Sequence, residues 1–406
     1  MNALGSAIMT LSESAARHSE PGPGVTRVLG SEEHRALLVD LKRWMQEAGL
    51  SVELDAAGNL VGRTATIEGA PTLIIGSHQD TVRQGGKYDG MLGILLPLVV
   101  LQHLHQSGDR LAVNIELVAF SDEEGARFSS TLVGSSALAG TFDPAILSAT
   151  DAAGTTMAQA LRDLGAEPDK IPELARNPAS ICGYLEVHIE QGPVLESLGL
   201  PVGVVTAITG IERHSLSITG KAGHAGTTPM ALRKDALVAA TAVVQAVDQH
   251  CRNTEDLVGV VGELVVTPNA VNVIPSRVDL TIELRSPNSA IRLAARERLF
   301  ADIAQQLAST GCTLEHRLTY QQTEVRCAER LQQQLSQAIE RAGYSSHRLF
   351  SGAGHDGLAM AQLTDVGMLF VRCKDGLSHH PDESITTEDA EAAAQVLKHF
   401  LLNLEA

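Results

Sequence analysis

The chain has 406 residues, a formal net charge of −17 and only 3% aromatic residues, a poor composition for gripping phosphate backbones, stacking on bases or lying on anionic membranes. Hydrophobic residues make up 44%, enough for real cores, and the length exceeds what one core usually serves, so two domains are expected. Five scattered cysteines (Cys182, Cys251, Cys312, Cys327, Cys373) with no CxxC pair fit reduced thiols in the cytoplasm better than a disulfide framework.

In chain order, MNALGSAIMTLSESAARHSE has no basic region followed by a long apolar core, so no signal peptide is expected. Residues 31–50 show helical spacing between a Ser cap and a Gly stop. TLIIGSH (72–78) reads as a buried strand, 89–108 as a buried helix and 111–124 as the next strand. The apolar run MLGILLPLVVLQHL becomes polar too soon to span a bilayer. GYLEVHIE (183–190), GVVTAITG (203–210) and VGMLFVRC (366–373) are strand-like. Strands alternating with helices predict an α/β fold, a mixed, largely parallel sheet flanked by helices. The middle differs: an alternating stretch at 214–227, a helix over 231–251, two strands around a Pro/Asn turn within 262–286, and a helix over 289–309. This predicts a small α+β domain at 210–322 inserted into a larger one formed by 1–209 and 323–406.

Polar chemistry collects just past the buried strands. TLIIGS runs into His78, with Asp80 and Asp89 following; LAVNIELVAF runs into Asp122-Glu123-Glu124. GYLEV leads to His188, Glu190 and Gln191, and VGMLFVRC leads to Ser378-His379-His380-Pro381. In open α/β sheets ligands bind beyond the carboxyl ends of the strands. A single strand-end histidine is more often structural, and an acidic run more often a solvated loop. Four strands delivering such groups to one edge is a different matter. Histidine and carboxylate without clustered cysteine suit Zn or Mn. There are more donors than one ion takes, and a carboxylate bridging two ions ~3.5–4 Å apart would use them all. Cations would also make the crowded acids at 122–124 tolerable, one Glu binding while its neighbour takes a proton from water. GAGHDG matches GxGxxG, but it lies far from the first βα units and no acid is placed to meet a ribose, so the dinucleotide reading is weak. No GxSxG, Walker A or HExxH motif is present.

GSHQDT, GGKYDGMLG, FSDEEGARF, EVHIEQGPVLE, KAGHAGTTPM, NAVNVIP, SGAGHDG and LSHHPDE together resemble the amidase, hydantoinase/carbamoylase family of dinuclear aminopeptidase-like metallohydrolases. The motifs run in that family's order from about 76 to 383. The resemblance implies a catalytic α/β domain, an inserted lid that also forms a homodimer interface, and two divalent ions, Zn or Mn. It implies His78 and His188 as ligands of one ion, Glu124 and His379 of the other, and Asp89 as the bridge. The S-H-x-P spacing selects His379 over His380. Glu123 resembles the general base, and Asp80 the acid that bonds the second nitrogen of His78. Arg285 resembles the arginine that holds a substrate carboxylate, Gln191 and Asn272 its hydrogen-bonding partners, and Gly354 and His355 lining of the pocket. His224 resembles a lid histidine that reaches the partner subunit's site and meets an oxyanion.

The activity so implied is hydrolysis of the ureido C–N bond of a small carboxylate, releasing ammonia and carbon dioxide through a carbamate. Lys87-Tyr88 ahead of Asp89 inclines the substrate toward allantoate; N-carbamoyl-L-amino acids are the alternative, then N-carbamoyl-β-alanine or ureidoglycolate. An aminopeptidase or aminoacylase is the more distant reading. The expected setting is a cytoplasmic homodimer joined through the lid, acting on a small ureido acid, with no nucleic-acid or membrane partner.

Overall fold

A computed structural model describes residues 3–405. The chain begins with helices α1 (Ala3–Ala16) and α2 (Glu32–Glu47), then strands β1 (Ser51–Leu54), β2 (Leu60–Arg63) and β3 (Thr72–His78). Helix α3 (Leu92–Ser107), strand β4 (Asn114–Phe120), helices α4 (Val133–Ala139) and α5 (Met157–Asp163), strand β5 (Ile181–Ile189), helix α6 (Val194–Leu198) and strand β6 (Val202–Ile208) follow. Then come β7 (Gly210–Thr219), β8 (Gly223–His224), α7 (Ala236–Arg252), β9 (Val258–Thr267), β10 (Val273–Ile274), β11 (Arg277–Ser286), α8 (Ser289–Ala308) and β12 (Thr313–Gln322). The chain finishes with β13 (Val325–Arg326), α9 (Glu329–Arg341), β14 (Arg348–Ser351), α10 (Gly357–Met360), β15 (Val366–Val371) and α11 (Thr387–Leu402). It divides into two compact units, Met1–Thr206 with Arg326–Ala406, and Ala207–Val325.

The first unit is built on a sheet of order β1-β2-β4-β3-β5-β15-β6-β13, with β14 pairing with β6. Its centre, β4-β3-β5-β15, is parallel, while β2 and β6 join antiparallel. Parallel strands are covered on both faces, which is why TLIIGSH and VGMLFV read as continuous apolar runs rather than alternating ones. Helix α3 is buried along its first ten residues and stops at Gly108, whose φ of 72° suits a residue without Cβ. It packs with α1, α11 and one sheet face into the main core. A second cluster, including Leu29, Phe128, Val133 and Leu161, lies by α4 and α5. Helix α2 starts where expected because Ser31 accepts the His34 N–H. Helix α1 was not anticipated.

The second unit is an antiparallel sheet, β12-β7-β11-β9, with α7 and α8 on one face. Alternation puts Leu216, Ile218, Val278, Leu280, Ile282 and Leu284 under the helices. The alternate residues of β7 and β11 form polar ladders, such as Arg277 with Asp279 and Ser217. The stretch expected as one strand at 214–227 breaks after Thr219; Gly223–His224 instead pairs with Val273–Ile274. Helix α7 begins at Ala236 rather than 231 because Asp235 accepts the Leu237 and Val238 N–H groups. No described helix is long and apolar enough to cross a membrane.

Candidate metal centre

Strand register assembles the site. His78 ends β3 beside Phe120, the last residue of β4, so the chain leaves β4 into Ser121–Glu124 next to it. His188 on β5 sits beside Phe370 of β15, after which the chain runs to Ser378-His379. Parallel pairing brings these carboxyl ends to one edge, as the sequence order suggested.

Asp89 is the centre of the arrangement. Its Oδ1 lies 3.1 Å from His188 Nε2 and 3.4 Å from His78 Nε2, while its Oδ2 lies 3.1 Å from His379 Nε2. His379 Nε2 is also 3.5 Å from Glu124 Oε1. The donor atoms of His78, Asp89 and His188 lie close enough together to hold a metal ion, and so do those of Asp89, Glu124 and His379. These two triads share Asp89 through different oxygens. Nitrogen and carboxylate donors in such sets fit borderline-hard divalent ions. A third set, His78, Glu123 and Glu124, brings Glu123 within reach of the same space.

The electrostatics follow from burial and crowding. Burial alone would raise the Asp89 carboxyl, yet bonds with His188, His379 and His78 hold it well below the usual range. Burial, with the neighbouring acids adding to it, pushes Glu123 well above its usual value and Glu124 up to about 7. Burial lowers His78, but the Asp89 bond and the surrounding carboxylates outweigh it and leave the imidazole raised. Without a cation, this cluster holds protons. Asp122, left without a role by the sequence, is buried at φ 50° with no donor to either carboxylate oxygen, and burial raises it strongly.

Two expectations change in detail. Asp80 does not bond His78 through its side chain: the 3.0 Å contact to His78 Nδ1 is with the Asp80 backbone carbonyl, and Asp80 Oδ1 is 3.7 Å away. The carboxylate is taken up instead by the backbone N–H groups of Glu123 and Glu124. His355 lies behind His188. It is 1% exposed, its ring stands edge-on to His188 at 4.5 Å, and its Nε2 is 2.6 Å from Ser351 Oγ. The other assignments fall as follows. His379 faces Asp89, while His380 turns to Asp382. Gln191 Nε2 donates to Asp89 Oδ2 at 3.1 Å and Ser378 Oγ at 3.0 Å, leaving a buried Oε1 with no donor. Gly354 is so near Glu123 that a Cβ there would sit 3.6 Å from Oε1.

In the second unit, His224 pairs with Val273 and Asn272 accepts the Ala225 N–H, so these two residues are neighbours. Arg285 is paired with Glu283 Oε1 at 2.6 Å, and Glu283 also binds Arg213. Arg285 stands at the far end of β11 from the His224 end, eight residues beyond Arg277, or about 26 Å at ~3.3 Å per residue.

Three buried acids escaped the sequence reading. Glu186 accepts from Ser77 Oγ at 2.9 Å and Gly357 N at 3.0 Å, Glu383 accepts from the Tyr88 and Asp89 N–H groups, and Asp356 is fully enclosed, its carboxyl pushed well above the usual range by burial. Only the EVH spacing of Glu186 before His188 offered any signal.

A largely parallel α/β sheet with this donor set at its carboxyl edge defines a hydrolase of the aminopeptidase-like class. The chain belongs to peptidase family M20/M25/M40, whose model matches residues 74–403, and within it to the amidohydrolases acting on C–N bonds other than peptide bonds. It is 41% identical over 390 residues to an N-carbamoyl-L-amino acid amidohydrolase of Geobacillus stearothermophilus, covering 95% of this chain and 94% of that one. A probable allantoate deiminase of Oryza sativa subsp. japonica is 39% identical, with 88% and 80% covered. The crystal structure of an amidase of the hydantoinase/carbamoylase family from Burkholderia multivorans superposes with a TM-score of 0.93 at 34% identity, with 98% and 97% covered.

Proposed function

We propose that this chain hydrolyses the ureido C–N bond of a small N-carbamoyl carboxylate at a centre holding two divalent ions, Zn or Mn. The observation that carries this reading is the division of Asp89, one oxygen toward His78 and His188 and the other toward His379. Bound there, the ions would supply Lewis-acid charge beside the ureido carbonyl. Glu123, whose proton affinity burial raises, takes a proton from water and returns it to the departing nitrogen. Gln191 is held by Asp89 and Ser378 so that its unfilled Oε1 accepts from the ureido NH2. Arg285 pairs with the carboxylate. The leaving group departs as an amine, and the carbamate breaks down to ammonia and carbon dioxide.

His224 and Asn272 lie past the Arg277 end of β11, and Arg285 stands at its other end. This supports a homodimer in which the lid of one chain supplies His224 to its partner's site and meets the oxyanion.

For the substrate, N-carbamoyl-L-amino acids are the first reading, on the 41% identity over nearly full length. Allantoate is the second, on the similarity to the plant deiminase. The Lys87-Tyr88 pair that inclined the sequence toward allantoate gives no physical preference: Lys87 Nζ pairs with Glu13 at 2.7 Å, and the Tyr88 ring is 3% exposed in the core. Steady-state assays of chelated and then Mn- or Zn-reloaded protein on both substrates, N-carbamoyl-β-alanine and a dipeptide decide. Turnover of the dipeptide alone would overturn the ureido reading.

A further inference from the structure

Glu383 closes the motif LSHHPDE, and nothing above gives it a part in the chemistry. It is 2% exposed and makes no ion pair among the described residues. A carboxylate is costly to bury unless hydrogen bonds compensate it, so its partners indicate what it does. Oε1 accepts the Tyr88 N–H at 2.9 Å and the Asp89 N–H at 3.1 Å. Oε2 faces Ser378 Oγ at 3.1 Å, and that hydroxyl is also 3.1 Å from Asp89 Oδ2. One side chain thus grips the backbone of Asp89 and the residue before His379, nearly three hundred positions apart in sequence.

Two further features fit this grip. A Cβ at Gly86 would fall 2.1 Å from the Glu383 carboxyl, so the Asp89 loop closes over Glu383 only with glycine there. His379 has φ 55°, a conformation that a residue with a side chain keeps only where its surroundings impose it. The turn carrying it is closed by the Glu383 N–H to the His380 carbonyl at 3.1 Å.

We infer that Glu383 is a positioning residue that locks the Asp89 loop to the His379 turn, setting the spacing of the Asp89, Glu124 and His379 donors. This rests on the two-ion reading above. The test is a titration of chelated protein with Mn²⁺ or Zn²⁺ against a competing chelator, with circular dichroism and melting of the metal-free forms alongside. Glu383→Ala should keep wild-type secondary structure yet bind one of the two ions about 10–100-fold more weakly, the range for residues that orient ligands. Glu383→Gln, whose carbonyl accepts the backbone N–H groups and whose amide donates to Ser378, should recover most of that loss. Wild-type affinity in Glu383→Ala, or equal weakness in Glu383→Gln, would overturn the inference. Should Glu383→Ala fail to fold, Ser378→Ala replaces it, and unchanged affinity there would overturn the inference equally. No ion uptake by the wild type would overturn the two-ion reading itself, and this inference with it.

Discussion

Asp80 accepts the backbone N–H of Glu123 on one carboxylate oxygen at 3.0 Å and that of Glu124 on the other at 3.2 Å. One buried acid therefore orients Glu123 and Glu124 in the turn after β4, and its backbone carbonyl holds His78 as well. Asp80→Ala removes both acceptors while leaving His78 its carbonyl partner. We expect a loss of about 10–100-fold in ion affinity together with a fall in kcat. A variant that loses neither in a metal titration and a rate assay would show that the acid pair is held by other means.

Glu123→Gln keeps size and hydrogen-bonding capacity but removes the proton acceptor. Turnover should drop about 10²–10⁴-fold, with metal content by elemental analysis near that of the wild type. Because Glu123 also lies in a donor set with His78 and Glu124, loss of an ion in this variant would reassign it from base to ligand.

Stability of the metal-free chain should fall as pH rises. Glu124 and Glu383 are both lifted by burial from 4.5 to about 7. A carboxyl whose folded value is raised binds more protons folded than unfolded, so its contribution is most favourable below about 4.5 and is eroded up to about 7. His78, His188 and His379, raised chiefly by Asp89 against their burial, lose their contribution in the same upward direction. A divalent ion opposes this, since it takes the deprotonated donors. Melting curves should show a larger gain from Mn²⁺ at pH 8 than at pH 5.5; equal gains would count against the cluster as the ion site.

Complementation tests the shared site. His224→Ala and Glu123→Gln should each be nearly inactive as homodimers. If His224 serves the partner's site, random re-pairing leaves one intact site in each mixed dimer, restoring roughly a quarter of wild-type activity. Mixing that restores nothing, with dimer exchange verified by mass, would place His224 at its own chain's site or at none.

Much of this was legible because burial leaves a plain mark. TLIIGSH and VGMLFV announce central strands, and donors just past them announce the edge at which they meet. The alternation in the second unit was readable too, but its breaks at Thr219 and Asp235 depend on local capping and short-range pairing. The residues whose surroundings the sequence did not show share another feature. His355 stands on a Gly-rich loop that suggests exposure, yet the fold carries it behind His188. Asp356 and Glu383 are acids whose partners come from distant segments, so neither periodicity nor spacing marks them. Asp80 shows a finer limit: sequence can bring an acid near a histidine but cannot say whether side chain or backbone makes the bond.

His379 is 51% exposed, whereas His78 and His188 are sealed in the interior. The two halves of the centre would therefore differ in traffic. On the two-ion reading, an ion on the His379 side would have a doorway to solvent and would be the one to exchange when divalent ions run short. Its neighbour, once enclosed by His78 and His188, would stay for many turnovers. The enzyme would then sense scarcity through a single vacancy, losing rate before it loses shape.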